Sequence, residues 1–131
     1  MNAMKTTMKT IIAAATIALG LAASASAWAH GDQPKHGGIV QTASDISFEL
    51  VNQDGKATIY IEDHGKEVPT TGAIGKLTAL NGAKKIEVQL APNGANAMIT
   101  QSDAKLAKGS KAIVSITLAD KRTVNVRFSI K

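Results

Sequence analysis

The three histidines are the side chains of this sequence best suited to chemistry. They are His30, His36 and His64, each next to a glycine or in a polar segment, and the chain contains no cysteine. Neutral imidazole is the commonest side-chain ligand for Cu, Ni and Zn. The lack of cysteine excludes thiolate metal sites and disulfides. The sequence therefore predicts a histidine-based metal site, with Cu(II) as the first candidate and Zn, Ni or Co as alternatives.

His30 matters because the chain before it has the pattern of a cleavable signal peptide, with two candidate cleavage sites next to His30. A cut after Ala27 leaves Trp28-Ala29-His30 as the new start, whose amine, two amide nitrogens and imidazole form a square plane suited to Cu(II) or Ni(II). A cut after Ala29 makes His30 itself the N-terminus, where its amine and ring can chelate one metal. Both cuts give an N-terminus able to bind a metal, with the amine of Trp28 as a further ligand in the first case. The alternative is that the position of His30 has no function, because any exported protein can carry a histidine near its start.

The other two histidines lie in turn-like segments. His36 precedes two glycines, which let the backbone turn sharply or approach a ligand. His64 follows Glu62 and Asp63, whose carboxylates would add oxygen ligands or orient the ring. A solvated loop histidine is the alternative for each one taken alone. A folded arm would bring the three histidines together, and the sequence leaves that open.

Met98 is the only methionine that remains after the predicted processing. A thioether is a ligand for Cu(I), which makes Met98 a weaker candidate. A single methionine in an apolar strand is more typical of core packing.

Enzyme motifs are missing from the sequence. There is no G-x-S-x-G, no H-E-x-x-H and no glycine-rich phosphate loop after a strand. Glu62 and Asp63 are adjacent, so on a strand they would face opposite sides and could not act as a carboxylate pair. We therefore predict a protein that is not an enzyme and has no organic cofactor.

The first 27 residues have the organisation of a cleavable signal peptide. Lys5 and Lys9 supply the positive start, residues 11–21 form an apolar run, and residues 22–29 are rich in small side chains. A membrane anchor needs about 20 apolar residues, and this run is shorter. The sequence predicts export to the periplasm, with no membrane span after processing.

The rest of the chain reads as an arm followed by one β domain. Residues 28–38 are polar and glycine-rich and predict a flexible, histidine-containing arm. Residues 39–131 show about seven or eight short alternating apolar segments separated by turn signals such as Asp54-Gly55. This pattern predicts an antiparallel β-sandwich, either Ig-like or small and barrel-like. The predicted core residues are Ile46, Phe48, Leu50, Ile59, Ile61, Leu77, Ile86, Val88, Leu90, Val114, Ile116, Leu118, Val124, Val126 and Phe128.

Charge argues against nucleic acid as a partner. The formal net charge of the whole chain is +5, and two of its lysines leave with the signal peptide. No run of Lys and Arg remains, and the four aromatic residues do not form a stacking platform.

Several short segments together resemble a known group of proteins. They are HGD at His30, HGG at His36, ISFELV at residues 46–51, EDHGK at residues 62–66, KLTALNG at residues 76–82 and VRFSIK at residues 126–131. They are similar to small exported proteins associated with heavy-metal efflux systems of Gram-negative bacteria. They also resemble the extra periplasmic domain of some metal-efflux membrane fusion (adaptor) proteins. The resemblance implies a periplasmic β domain that binds metal through His30, His36 and His64.

The predicted function is a periplasmic metal-binding accessory protein of metal resistance. It would bind or buffer a divalent transition metal and hand it to the adaptor of an efflux complex. The alternative is a periplasmic protein-interaction module with no role in metal binding.

Overall fold

The alternating apolar segments form one antiparallel sheet in the computed structural model, which describes residues 33–131. The predicted signal peptide, Trp28 and His30 lie outside these residues. No helix in this range is long and apolar enough to cross a membrane. The strands are β1 (Ile39–Ala43), β2 (Ile46–Gln53), β3 (Lys56–Asp63), β4 (Lys66–Glu67), β5 (Ile74–Asn81), β6 (Lys84–Pro92), β7 (Ala97–Thr100), β8 (Lys111–Thr117) and β9 (Thr123–Ser129).

The strands curl into a nearly closed barrel. Their order is β1-β2-β3-β7-β6-β5-β8-β9, with the two-residue β4 paired to β3. Every pair of neighbours is antiparallel, and the terminal strands β1 and β9 lie close to each other. The predicted all-β antiparallel fold is confirmed in its barrel-like form. The described strands number nine because β4 adds a pairing too short for a period-two pattern to reveal.

The interior of the barrel is filled by alternate residues of the long strands. All the predicted core residues are buried except Ile86, which is partly buried against the core. Phe48 and Phe128 are the largest fully buried side chains, at 1% and 0% exposure. Burying a side chain of this class contributes about 1.5–3 kcal/mol relative to exposure, so the alternation sets which face of each strand turns inward.

The hairpin between β2 and β3 determines what lies on the outer surface. Asp54 and Gly55 both have positive φ, 52° and 76°, which is the backbone of a two-residue type I′ turn. This turn pairs Glu49 with Tyr60 across the two strands. Because side chains alternate along a strand and Phe48 and Leu50 point inward, Glu49 and Tyr60 lie on the outer face.

Candidate functional site

Glu49 is a buried carboxylate on the outer face of the barrel. It is only 6% exposed because the chain before β1 lies across it. Its Oε1 accepts hydrogen bonds from the backbone N–H of His36 at 2.7 Å and of Gly38 at 3.0 Å. Its Oε2 contacts the backbone N–H of Lys35 at 3.1 Å and the His36 ring Nδ1 at 2.9 Å. One side chain therefore holds residues 35–38 against the sheet.

The charge of Glu49 is stabilised by these contacts. Burial alone would raise the pKa of Glu49. The hydrogen bonds from the His36 ring and from the backbone N–H groups of His36, Gly38 and Lys35 outweigh that effect, and the pKa lies below its ordinary value of 4.5. The group is therefore an ionised acceptor at neutral pH.

This ionised carboxylate determines how the His36 ring can act. Because Glu49 accepts but cannot donate, His36 Nδ1 carries the proton in this contact. In the neutral ring, Nε2 then has a free lone pair. The side chain of His36 is 40% exposed, so the ring is accessible from solvent. A carboxylate or carbonyl on one ring nitrogen is the usual arrangement of a metal-binding histidine.

Tyr60 fixes the plane of the His36 ring. The two ring centroids are 3.6 Å apart and the planes differ by 3°. Tyr60 comes from β3, directly opposite Glu49 on β2, so the two residues that orient His36 belong to one cross-strand pair.

Lys35 and Glu62 complete the group, which we call the His36 cluster (Lys35, His36, Glu49, Tyr60 and Glu62). Lys35 Nζ lies 2.8 Å from both carboxylate oxygens of Glu62. The cluster surrounds a narrow cleft of about 10 Å³, roughly the space of one water molecule. Glu62, which the sequence suggested as a partner for His64, thus pairs with Lys35 on the side of His36.

His64 lies at the tip of the β3–β4 hairpin. It has φ of 49° and precedes Gly65 at 79°, between the paired residues Asp63 and Lys66. Its Nδ1 is 2.5 Å from Asp63 Oδ1, and its side chain is 81% exposed. Asp63 therefore orients the His64 ring, as the sequence suggested it could.

The structure places His36 and His64 in different surroundings. His36 stacks on Tyr60. His64 follows Tyr60 by four residues, which is about 13 Å along the chain at the rise of an extended strand. Between residues 33 and 131 no group of three or more His, Asp and Glu side chains is arranged to hold a metal ion. A metal at His36 would have to take further ligands from residues before Gln33 or from solvent.

Met98 lies in the barrel core. It is 0% exposed and pairs with Ile59, whose side chain is also fully buried. Tyr60 and the His36 ring lie on the opposite face of the sheet. The structure therefore does not bring Met98 together with His36.

The predicted arm and its first histidine are only partly within the structure. Trp28 and His30 lie outside the described residues, so their role as ligands stays a prediction. Residues 35–38 lie against the sheet through Glu49. The flexibility of the remainder of the arm also stays a prediction.

Sequence reasoning missed Glu49 and Tyr60. Glu49 interrupts an apolar run, with Phe48 and Leu50 on either side. A charged residue at an outward position of a strand is ordinary, so nothing in the sequence alone marks it as buried. The HGG segment upstream was the available signal that the backbone comes close to another part of the chain.

Comparisons with known proteins give no match for this chain. No protein-family model, no curated protein and no solved structure is significantly similar to it. The interpretation of the site therefore depends on its own residues.

Proposed function

We propose that the protein is an exported, periplasmic metal-binding accessory protein. In this proposal the Nε2 atom of His36 coordinates the metal. Cu(II) is the preferred candidate, with Zn, Ni and Co as alternatives. The observation that carries the proposal is that two residues orient the His36 ring. Glu49 contacts Nδ1, and Tyr60 stacks against the face of the ring. In this role the protein would buffer the metal or pass it to the adaptor of an efflux complex.

The chemistry of the donor set fits a borderline divalent metal. Imidazole suits Cu, Ni and Zn, and the carboxylate at Nδ1 fixes the tautomer and the orientation of the ring. A solvated surface histidine needs no buried carboxylate to hold it. Four contacts to Glu49, one of them from the ring itself, give His36 a fixed direction.

The missing ligands can come from the N-terminal segment. His30 lies six positions before His36, and an extended chain of that length spans roughly 20 Å. The anchored Lys35 to Gly38 segment fixes the near end of this span. His30 and the amine of Trp28 can therefore reach a metal held at His36.

The charge around the cluster also favours a cation. Residues 33–69, which include β1 to β4, contain six Asp and Glu side chains against three lysines. A negative local field attracts cations and raises their concentration near the site.

Calorimetric titration of the processed protein with Cu(II) at neutral pH, together with native mass spectrometry, tests the proposal. We expect one equivalent to bind, and His36→Ala and His30→Ala each to weaken binding at least tenfold. His64→Ala is the matched control, because it removes an exposed histidine with its own carboxylate partner. Equal binding by wild type and His36→Ala would contradict the proposal. Binding to a protein partner that is insensitive to chelator, without metal uptake, would favour the interaction module instead.

A further inference from the structure

The two halves of the chain carry opposite charge. Residues 33–69 have three more carboxylates than lysines, whereas residues 70–131 have ten Lys and Arg side chains against three Asp and Glu. The strands of the first half, β1 to β4, and those of the second half, β5, β6, β8 and β9, occupy different parts of the barrel. The charge asymmetry along the sequence therefore becomes a charge asymmetry on the surface. The His36 cluster lies on the acidic part.

Part of the positive charge is concentrated on the outer surface of four adjacent strands, which we call the basic face. The register brings Lys85, Leu80 and Lys111 into one row across β6, β5 and β8, and Ile113 pairs with Arg127 in the next row. Lys76 lies further along β5, beside Ser115.

The basic face keeps an excess of positive charge. Its carboxylate, Glu87, lies 3.1 Å from Lys85 Nζ and 3.9 Å from Lys76 Nζ. Lys111 Nζ donates a hydrogen bond to a neutral group, the Ser129 hydroxyl, at 2.8 Å. Lys76 and Lys85 therefore share one carboxylate, which leaves an excess of positive charge over Lys76, Lys85, Lys111 and Arg127.

An exposed aliphatic side chain lies at one end of this face. Ile74, the first residue of β5, is 69% exposed and is the large hydrophobic residue most open to solvent among residues 33–131. It is two positions before Lys76, so the two side chains point to the same side of the strand. Leu80 and Ile113 add half-buried apolar surface between the basic residues.

We propose that the basic face binds the surface of an anionic phospholipid bilayer, with Ile74 entering the interfacial layer. Basic side chains near an anionic leaflet, combined with an aliphatic side chain that can insert, are the two components of reversible peripheral binding. This orientation leaves the His36 cluster, on the acidic part of the barrel, free of the membrane.

The shape of the face favours a bilayer over an acidic peptide. A peptide in extended form is recognised by pairing with a free strand edge, whereas β5, β6 and β8 are each paired on both sides. Ile74 also protrudes, whereas a peptide anchor would need a pocket to receive it. A flat, anionic and partly apolar layer matches both features.

Co-sedimentation with vesicles tests the inference, in buffer containing a chelator so that metal binding does not enter. The processed protein is mixed with phosphatidylcholine vesicles or with vesicles half composed of phosphatidylglycerol. The triple variant Lys76→Glu, Lys111→Glu, Arg127→Glu reverses the basic face. The matched control is Lys56→Glu, Lys66→Glu, Lys105→Glu, which changes net charge equally at exposed positions on β3, on β4 and between β7 and β8. Ile74→Ser removes the inserting side chain without a charge change, and circular dichroism checks that each variant is folded.

We expect binding to the anionic vesicles only, and weaker binding when salt is raised from about 10 mM to about 150 mM, because the Debye length shortens. The face variant should bind at least tenfold more weakly, the control variant within about threefold of wild type, and Ile74→Ser several-fold more weakly. Equal losses in the face and control variants would overturn the inference, because net charge alone would then explain binding. Binding to polyglutamate without binding to anionic vesicles would also overturn it and would assign the face to an acidic protein.

Discussion

The ring of His36 lies parallel to the ring of Tyr60, with centroids 3.6 Å apart and an interplanar angle of 3°. Together with the Glu49 contact at Nδ1, this stack restricts both the tilt and the rotation of the imidazole. An ordinary loop histidine has neither restriction. The arrangement leaves Nε2 as the ring nitrogen for a ligand, which is what the proposed metal-binding role requires.

Replacing Glu49 with Gln should change the tautomer of His36. An amide NH₂ would donate to Nδ1, so the proton would move to Nε2 and the metal lone pair would be lost. We expect Cu(II) affinity to fall about 10–100-fold, as for other residues that orient metal ligands, and the free energy of unfolding to fall by about 1–3 kcal/mol. Titration calorimetry and chemical denaturation measure these effects. Glu62→Gln is the control, because its pair with Lys35 is partly exposed and such pairs contribute about 0–1 kcal/mol; equal effects of the two variants would argue against a special role for Glu49.

Gly38 should tolerate no side chain. A Cβ there would lie 2.3 Å from the backbone oxygen of Leu50, a backbone atom that cannot move aside without disturbing β2. Gly38→Ala should displace residues 35–38 and destabilise the fold by at least about 1–3 kcal/mol. Gly37→Ala is the comparison, because its φ of 72° is strained for alanine but its Cβ would meet nothing within 4 Å. Thermal denaturation should rank Gly38→Ala as the more damaging change, and the reverse order would contradict the close approach seen here.

The contact between Glu49 and residues 35–38 should be lost in acid. The pKa of Glu49 is lowered in the folded protein, so its stabilising contribution is fully present above the unfolded value near 4.5 and disappears as the pH falls through the lower folded value. Proton NMR of the Gly38 amide, whose N–H donates to Glu49, should show this titration with a midpoint below 4.5. A midpoint above 4.5 would mean that burial outweighs the hydrogen bonds.

Met98 should matter for stability and not for metal binding. It is fully buried in the core, so Met98→Ala should cost about 2–5 kcal/mol, whereas Met98→Leu should cost less than about 1.5 kcal/mol. Denaturation curves measure both. Cu(II) affinity of the folded Met98→Leu variant should equal that of wild type, and a tenfold loss would show that the thioether takes part in binding.

The core of this fold could be predicted because period-two alternation directly reports which side chains are buried. Phe48, Ile59 and Phe128 show this plainly. The exception is Ile86, which is only partly buried and lies opposite Ala79, close to the β5–β6 turn.

The site was harder to predict because its contacts depend on how distant segments pack. Glu49 and Tyr60 become neighbours through the hairpin register, which the Asp54-Gly55 turn does indicate. The position of residues 35–38 over that pair, however, is set by three backbone N–H groups converging on one carboxylate. Gly37 and Gly38 permit such a close approach, but no residue type in the sequence indicates which carboxylate receives it. The sequence therefore predicted His36 as a ligand without indicating the residues that orient it.

The central proposal is that His36, among residues 33–131, coordinates the metal through its Nε2 atom. Its most direct test is proton NMR of the histidine and tyrosine rings during addition of Cu(II) in substoichiometric amounts to the processed protein, since the paramagnetic ion broadens only nearby resonances. We expect the ring signals of His36 and Tyr60 to disappear first, while those of His64 remain. Early loss of the His64 signals with those of His36 unchanged would contradict it.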